Sequence, residues 1–139
     1  ILSTHLILAF FIPAILYMSN ALGIQNQTLL IRDLATMGKE LKLAPYFIKT
    51  VLIGLCISLV IGILVYGLTL FIWNDTTIAS VIALAMGITL LISSFTSILI
   101  TVLFTYLGKD PALGSGPFAT VISDLTSIIV YFVIVSTLL

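Results

Sequence analysis

Charged residues, cysteine and histidine are all scarce in this sequence. Its 139 residues include five basic and five acidic side chains, one cysteine and one histidine, whereas about a quarter of the residues in a soluble domain are charged. The formal net charge is zero, so no overall field attracts a charged partner. The lone Cys56 excludes a disulfide framework within one chain.

Motifs of enzyme active sites are missing as well. The sequence shows no nucleophile and base pair, no ligand pair with zinc spacing and no glycine loop that binds phosphate. Intramembrane proteolysis needs two aspartates, a serine with a histidine, or a metal motif, and none of these patterns is present. We therefore do not expect an enzyme.

Apolar residues dominate instead. They make up 61% of the chain, and the mean hydropathy is +1.37. A soluble domain of this size has too little interior to bury that much apolar surface. The composition indicates a membrane protein and excludes a disordered chain, a nucleic-acid-binding protein and an ordinary cytosolic enzyme.

Four apolar stretches are long enough to cross a bilayer core of about 30 Å as helices. They cover about residues 1–22, 47–73, 78–106 and 118–139. Strands are not expected, because these stretches lack alternating polar residues. The sequence predicts one all-α domain over residues 1–139, a polytopic membrane helix bundle.

Basic residues predict the orientation of the bundle. Four of the five lie in or beside the connection between the first two spans: Arg32, Lys39, Lys42 and Lys49. Lys109 lies in the connection between the last two. By the positive-inside rule, segments 23–46 and 107–117 are cytoplasmic and both ends of the sequence are external. Because that arrangement is unusual for four spans, we expect a further helix before Ile1, outside this sequence.

The connection between the first two spans mixes apolar and charged residues. Residues 25–43 read as an amphipathic helix at the membrane interface, which Pro45 ends. Just before it, residues 19–27 combine serine, amides and glycine after an apolar run. This pattern is typical of a broken helix that exposes carbonyl oxygens at a transport site, or simply of a capped helix end.

Asp124 is the most unusual residue, since it lies about seven residues into the fourth span. An aspartate at the centre of a span costs about 2.5–3.5 kcal/mol on insertion scales, and such residues usually face a polar cavity or a partner. Pro117, Thr120, Asp124, Ser127 and Tyr131 form one helical stripe. A carboxyl group among hydroxyls suits a hydrated cation or a proton path. The alternative is an aspartate that caps a broken backbone or joins helices.

Small and hydroxylated residues recur at helical spacing in the second and third spans. They form two rows, Gly54, Ser58 and Gly62 in one span and Ala79, Ala83 and Gly87 in the other. The third span also carries a longer stripe at Gly87, Ser94, Ser97, Thr101 and Thr105, flanked by Ser93 and Thr96. Rows of this kind favour close packing of membrane helices. We interpret them as helix contacts.

Residues 107–118 read Leu-Gly-Lys-Asp-Pro-Ala-Leu-Gly-Ser-Gly-Pro-Phe, and Asp124 follows Pro117 by seven residues. This segment resembles the MgtE magnesium transporter family, whose pattern is close to L-G-x-D-P-A-x-x-S-G-P-x with an aspartate at that distance. A looser match begins at Gly23-x-Gln25 and runs through Thr28-Leu29 to Arg32 and Leu34-Ala35. Where that family has a glycine pair, this sequence has Ser19 and Asn20.

The resemblance implies a homodimer in the bilayer, with an ion pathway between the subunits lined by spans one and four. Asp124 matches the pore aspartate, one from each chain. Thr120 and Gly116 would line the approach, and backbone oxygens around Asn20 and Gly23 would complete the ring. The implied cargo is Mg²⁺, with other divalent cations possible. Magnesium dehydrates reluctantly and is usually held by one or two carboxylates with several waters.

The resemblance also bears on what surrounds these spans. The four spans correspond to the second to fifth helices of a five-helix domain in the cell membrane, and the first helix and the cytoplasmic regulatory part have no counterpart in this sequence. Asp110 matches a second family aspartate and would attract cations at the cytoplasmic mouth. Alternatively, it is a charge at a helix start before Pro111.

Three functions are compatible with the residues themselves. The first is a dimeric divalent-cation transporter with Asp124 at the ion site, which the motif favours. The second is a proton- or sodium-coupled carrier in which Asp124 takes up a proton. The third is a membrane subunit without transport, in which Asp124 only joins helices.

Overall fold

The computed structural model describes residues 6–112 and 117–139, and within these ranges it contains four long α-helices and no strand. The helices are α1 (Leu6–Met37), α2 (Leu43–Trp73), α3 (Thr76–Tyr106) and α4 (Pro117–Leu138). All four are long and apolar enough to cross a membrane. The predicted all-α bundle of four spans is confirmed.

Helix α1 is longer than predicted and does not break. It continues through residues 19–27 to Met37, so the separate amphipathic helix and the discontinuity predicted before it are both wrong. Its 32 residues span about 48 Å at 1.5 Å per residue, more than the bilayer core requires. Residues 25–37 are helical, as predicted, but they extend the first span instead of forming a second helix.

The chain reverses direction in two short connections with clear local causes. After α1, a single 3₁₀ turn covers Gly38–Glu40, and Gly38 takes a positive φ of 54° that suits glycine. Pro45 then lies in the first turn of α2, where a missing amide hydrogen costs nothing. Between α2 and α3, Asp75 caps the start of α3 by accepting hydrogen bonds from the amides of Thr77 and Ile78 at 2.9 and 3.0 Å.

Helix α3 is the centre of the bundle and packs against the other three helices. Its contact with α2 runs along the predicted small-residue rows. A Cβ atom added at Gly54 would lie 2.8 Å from the Cβ of Ser94, and one added at Gly62 would lie 3.5 Å from the carbonyl oxygen of Ala83. The two backbones therefore approach closely and antiparallel, and the interpretation of these rows as helix contacts is confirmed.

The apolar core lies along α3, with side chains from α1 and α4 and with Val65 from α2. Tyr131 of α4 is its largest fully buried side chain, and its hydroxyl donates a 2.7 Å hydrogen bond to the carbonyl oxygen of Leu8 in α1. The outward face of α2, in contrast, leaves large apolar side chains exposed, with Phe71 88% exposed, as a lipid-facing surface does.

Candidate ion-binding site

Asp124 and Asn20 meet between α4 and α1. The Asn20 side-chain amide donates a hydrogen bond of 2.5 Å from Nδ2 to Oδ1 of Asp124. Both residues are half-buried. A carboxylate accepts hydrogen bonds at two oxygens, so one amide donor leaves further capacity for a ligand. Two residues predicted from distant parts of the sequence thus form one pair, which we call the Asn20–Asp124 pair.

The Asn20–Asp124 pair lies at the edge of an outward-facing surface of the single chain. On α1, the pair is flanked by Tyr17 and Ile24, and Tyr17 is 78% exposed. On α4, Val121 and Leu125 on either side of Asp124 are also exposed. The carboxyl group is therefore at the rim of the bundle, next to a surface that α1 and α4 build together.

Gly23 and Thr120 lie beside the pair in a narrow cleft. Its lining also includes Ile24 and Gln27 from α1, Thr96, Ser97 and Ile100 from α3, and Ala119 and Ser123 from α4. The cleft has a volume of about 10 Å³, which is enough for about one water molecule. This cleft is too small for a magnesium ion that keeps several waters.

Gly23 allows the close approach of three helices. A Cβ atom there would lie 3.4 Å from Oγ of Ser93, 3.6 Å from Cβ of Ser97 and 3.9 Å from Oγ of Ser123. Because α1 is continuous here, the carbonyl groups of this segment lie within a regular helix. Gly23 therefore lets the three helices pack closely. It does not break α1, contrary to what the sequence suggested.

Polar side chains of α1 also bind to α3 further along the same interface. The Asn26 amide donates to Oγ of Ser94 at 2.8 Å, and the Gln27 amide donates to the carbonyl oxygen of Ser97 at 3.4 Å. All four residues are buried. The sequence suggested that these polar residues interrupt α1, but their hydrogen bonds to α3 satisfy them within a continuous helix. The bonds also show that the hydroxyl stripe of α3 takes part in helix packing, as predicted.

Asp110 is not part of this cleft. It follows α3 on an exposed loop, where its Oδ1 accepts a 2.9 Å hydrogen bond from the amide of Ala112. It borders a different cleft, formed with the end of α1 by residues such as Leu34 and Gly38. Gly116, the remaining predicted site residue, lies outside the described residues.

Metal-binding side chains do not cluster in the described part of the chain. No group of three His, Cys, Asp or Glu side chains lies close enough there to hold a metal ion. Asp124, which Asn20 binds, is the one acidic residue of α4. An ion held here by more than one carboxyl group requires a carboxyl group from a second copy.

Comparisons with known proteins agree on one family. Residues 12–134 match the family model of MgtE, described as a divalent cation transporter. The chain is 34% identical over 132 residues to the magnesium transporter MgtE of Enterococcus faecalis, an alignment that covers 94% of this chain and 29% of that protein. It is 29% identical over 134 residues to the magnesium transporter MgtE of Thermus thermophilus, covering 95% of this chain and 29% of that protein. It is 30% identical over 131 residues to the magnesium transporter MgtE of Bacillus subtilis, covering 90% of this chain and 28% of that protein. The chain thus spans less than a third of the length of these relatives.

Proposed function

The chain belongs to the MgtE family of divalent cation transporters, and from this premise we propose that it carries Mg²⁺ across the membrane through a pore between two copies of the chain. Four apolar helices make it a multi-pass membrane protein, and we place it in the plasma membrane. The relatives are named magnesium transporters, which supports Mg²⁺ as the cargo ahead of other divalent cations.

The observation that carries this proposal is the position of the Asn20–Asp124 pair. The pair lies at the rim of the bundle, while the adjoining cleft holds about one water molecule. A second copy related by two-fold symmetry, the commonest arrangement of homodimers, would bring a second Asp124 to face the first. Two carboxyl groups would then surround one hydrated Mg²⁺, which usually keeps its waters and is held by one or two carboxylates.

The other predicted residues have supporting roles in this proposal. Asn20 holds one oxygen of Asp124 and so sets the direction of the carboxyl group. Gly23 keeps α1 close to α3 and α4, and Thr120 lines the approach to the carboxyl group. Asp110 attracts cations at the mouth of the pore, where its loop is exposed.

The helix order supports the proposed orientation. Because α2 and α3 pack antiparallel, the loop after α3 lies at the same end of the bundle as the basic start of α2. We propose that this end, with the connections after α1 and after α3, faces the cytoplasm. The predicted cytoplasmic segment 23–46 is wrong at its start, because residues 23–37 belong to the spanning helix α1. The match to divalent cation transporters does not favour the coupled carrier as an alternative.

Uptake of Mg²⁺ into proteoliposomes tests the proposal, with the chain compared with Asp124→Ala. We expect the variant to lose Mg²⁺ uptake while it still assembles as a dimer. Asp33→Ala is the control, because it removes a carboxyl group from the same helix as Asn20 that pairs with Arg32 at 2.8 Å and lies about 20 Å further along α1. Equal uptake by Asp124→Ala and the unmodified chain would contradict the proposal.

A further inference from the structure

One buried hydroxyl on α3 joins the two helices that carry the Asn20–Asp124 pair. Ser93 is 2% exposed, and its Oγ donates a 2.8 Å hydrogen bond to the carbonyl oxygen of Ser19. The same Oγ lies 3.2 Å from Oγ of Ser123. Ser19 directly precedes Asn20 in the sequence, and Ser123 directly precedes Asp124. Ser93 therefore joins α1 and α4 at the residues next to the Asn20–Asp124 pair.

The direction of both hydrogen bonds follows from the number of hydrogens available. A serine hydroxyl has one hydrogen and two lone pairs. Because Ser93 uses its hydrogen on the carbonyl oxygen of Ser19, it accepts from Ser123, which is then the donor. Ser93 is thus engaged on both sides, and no water or third side chain is needed to complete this link.

We propose that Ser93 is a positioning residue for the ion site. It acts through the Asn20–Asp124 pair by fixing the separation of α1 and α4, and it makes no contact with the ion. This inference rests on the proposed function for its effect on transport. The Ser19 backbone and the Ser123 side chain are the two points through which it acts, and Gly23 lies beside it, where an added Cβ atom would be 3.4 Å from Oγ of Ser93.

Replacing Ser93 with alanine removes both hydrogen bonds and leaves the rest of the packing in place. The geometry of the Asn20–Asp124 pair then relaxes, and ion binding weakens more than assembly does. From the usual contribution of one hydrogen bond, we expect the Mg²⁺ concentration for half-maximal uptake to rise about three- to tenfold. Maximal uptake for each assembled dimer should change by less than about twofold, because Asp124 is still present.

Ser58→Ala is the matched control. Ser58 is also a buried serine (3% exposed) at a contact with α3, but its hydroxyl donates to the carbonyl oxygen of Leu55 in its own helix at 2.9 Å. A merely structural effect of losing a buried hydroxyl appears in both variants. An effect on half-maximal concentration that appears only in Ser93→Ala is a positioning effect.

A second readout reports on the carboxyl group directly, without transport. Infrared difference spectra between the unmodified chain and Asp124→Ala identify the carboxyl band of Asp124. We expect Ser93→Ala to shift this band, because the hydrogen bond from Asn20 changes, and we expect Ser58→Ala to leave it in place.

The outcomes separate this inference from the proposed function. A shifted band together with a raised half-maximal concentration in Ser93→Ala alone supports the positioning role. An unshifted band, or the same changes in Ser58→Ala, overturns it. If Asp124→Ala transports Mg²⁺ normally while Ser93→Ala still shifts the band, Ser93 positions the pair and it is the ion-binding role of Asp124 that fails.

Discussion

Gly54 offers the sharpest test of how α2 and α3 pack. An added Cβ atom would lie 2.8 Å from the Cβ of Ser94 and closer still to its Oγ. Ser94 cannot simply rotate away, because its hydroxyl accepts the hydrogen bond from Asn26. The substitution Gly54→Ala therefore forces the two helices apart or breaks that bond.

The magnitude follows from these two costs. Overpacking a close contact costs typically about 1–3 kcal/mol, and loss of the hydrogen bond from Asn26 adds about 1 kcal/mol. The two costs sum to about 2–4 kcal/mol, and the better helix propensity of alanine offsets up to about 1 kcal/mol. We therefore expect Gly54→Ala to lower the free energy of unfolding by about 1–3 kcal/mol.

Two other glycines of α2 serve as controls. A Cβ atom at Gly62 meets its nearest neighbour, the carbonyl oxygen of Ala83, at an ordinary 3.5 Å, and one at Gly67 meets nothing within 4 Å. Alanine at both positions should be tolerated, and at Gly67 it should stabilise the helix by up to about 1 kcal/mol through its better helix propensity.

Unfolding in mixed detergent micelles, titrated with SDS and followed by circular dichroism, compares the three variants. The predicted order of stability is Gly67→Ala, then Gly62→Ala, then Gly54→Ala well below both. If Gly54→Ala unfolds at the same SDS fraction as Gly67→Ala, α2 and α3 do not approach as closely as described, and the reasoning is refuted.

Two further predictions concern single hydrogen bonds. Tyr131→Phe removes the hydrogen bond to the Leu8 carbonyl oxygen and should destabilise the bundle by about 1 kcal/mol in the same titration. The Mg²⁺ concentration for half-maximal uptake should not change, and a change in it would contradict the assignment of Tyr131 to the core. Asp75→Ala removes the cap of α3 and should lower the free energy of unfolding by about 0.5–2 kcal/mol. Asp75→Asn keeps an accepting oxygen and should retain most of the stability. Equal losses of stability in the two variants would contradict the capping role.

The sequence predicts α3 and α4 best. Helix α3 ends at Tyr106 as predicted and begins beside its cap at Asp75, and α4 lies within one residue of its predicted limits at both ends. Helix α2 ends at Trp73 as predicted but begins four residues earlier than predicted, at Leu43. The small-residue rows also indicate close contacts correctly. Their register does not follow from one sequence, since it depends on which residues of the partner helix lie opposite, such as Ser94 opposite Gly54.

The errors in α1 have a tertiary cause. Amides and glycine in residues 19–27 appear destabilising for a helix when read locally, but Asn26 and Gln27 bond to α3 and Gly23 packs against it. Tertiary packing thus outweighs the local preference. For the same reason the sequence indicates Ser93 only as a flanking residue of a packing stripe, because its two partners are 74 and 30 positions away in the sequence.

The central claim is that two copies of Asp124 hold one ion, and mixed dimers test it most directly. The unmodified chain and Asp124→Ala are co-expressed in equal amounts, purified together and assayed for Mg²⁺ uptake in proteoliposomes. If both carboxyl groups are needed, only dimers of two unmodified chains transport, and uptake falls to about a quarter for random pairing of a symmetric homodimer. Uptake of about one half, in proportion to the unmodified chain, would show that each chain transports alone and would contradict the account.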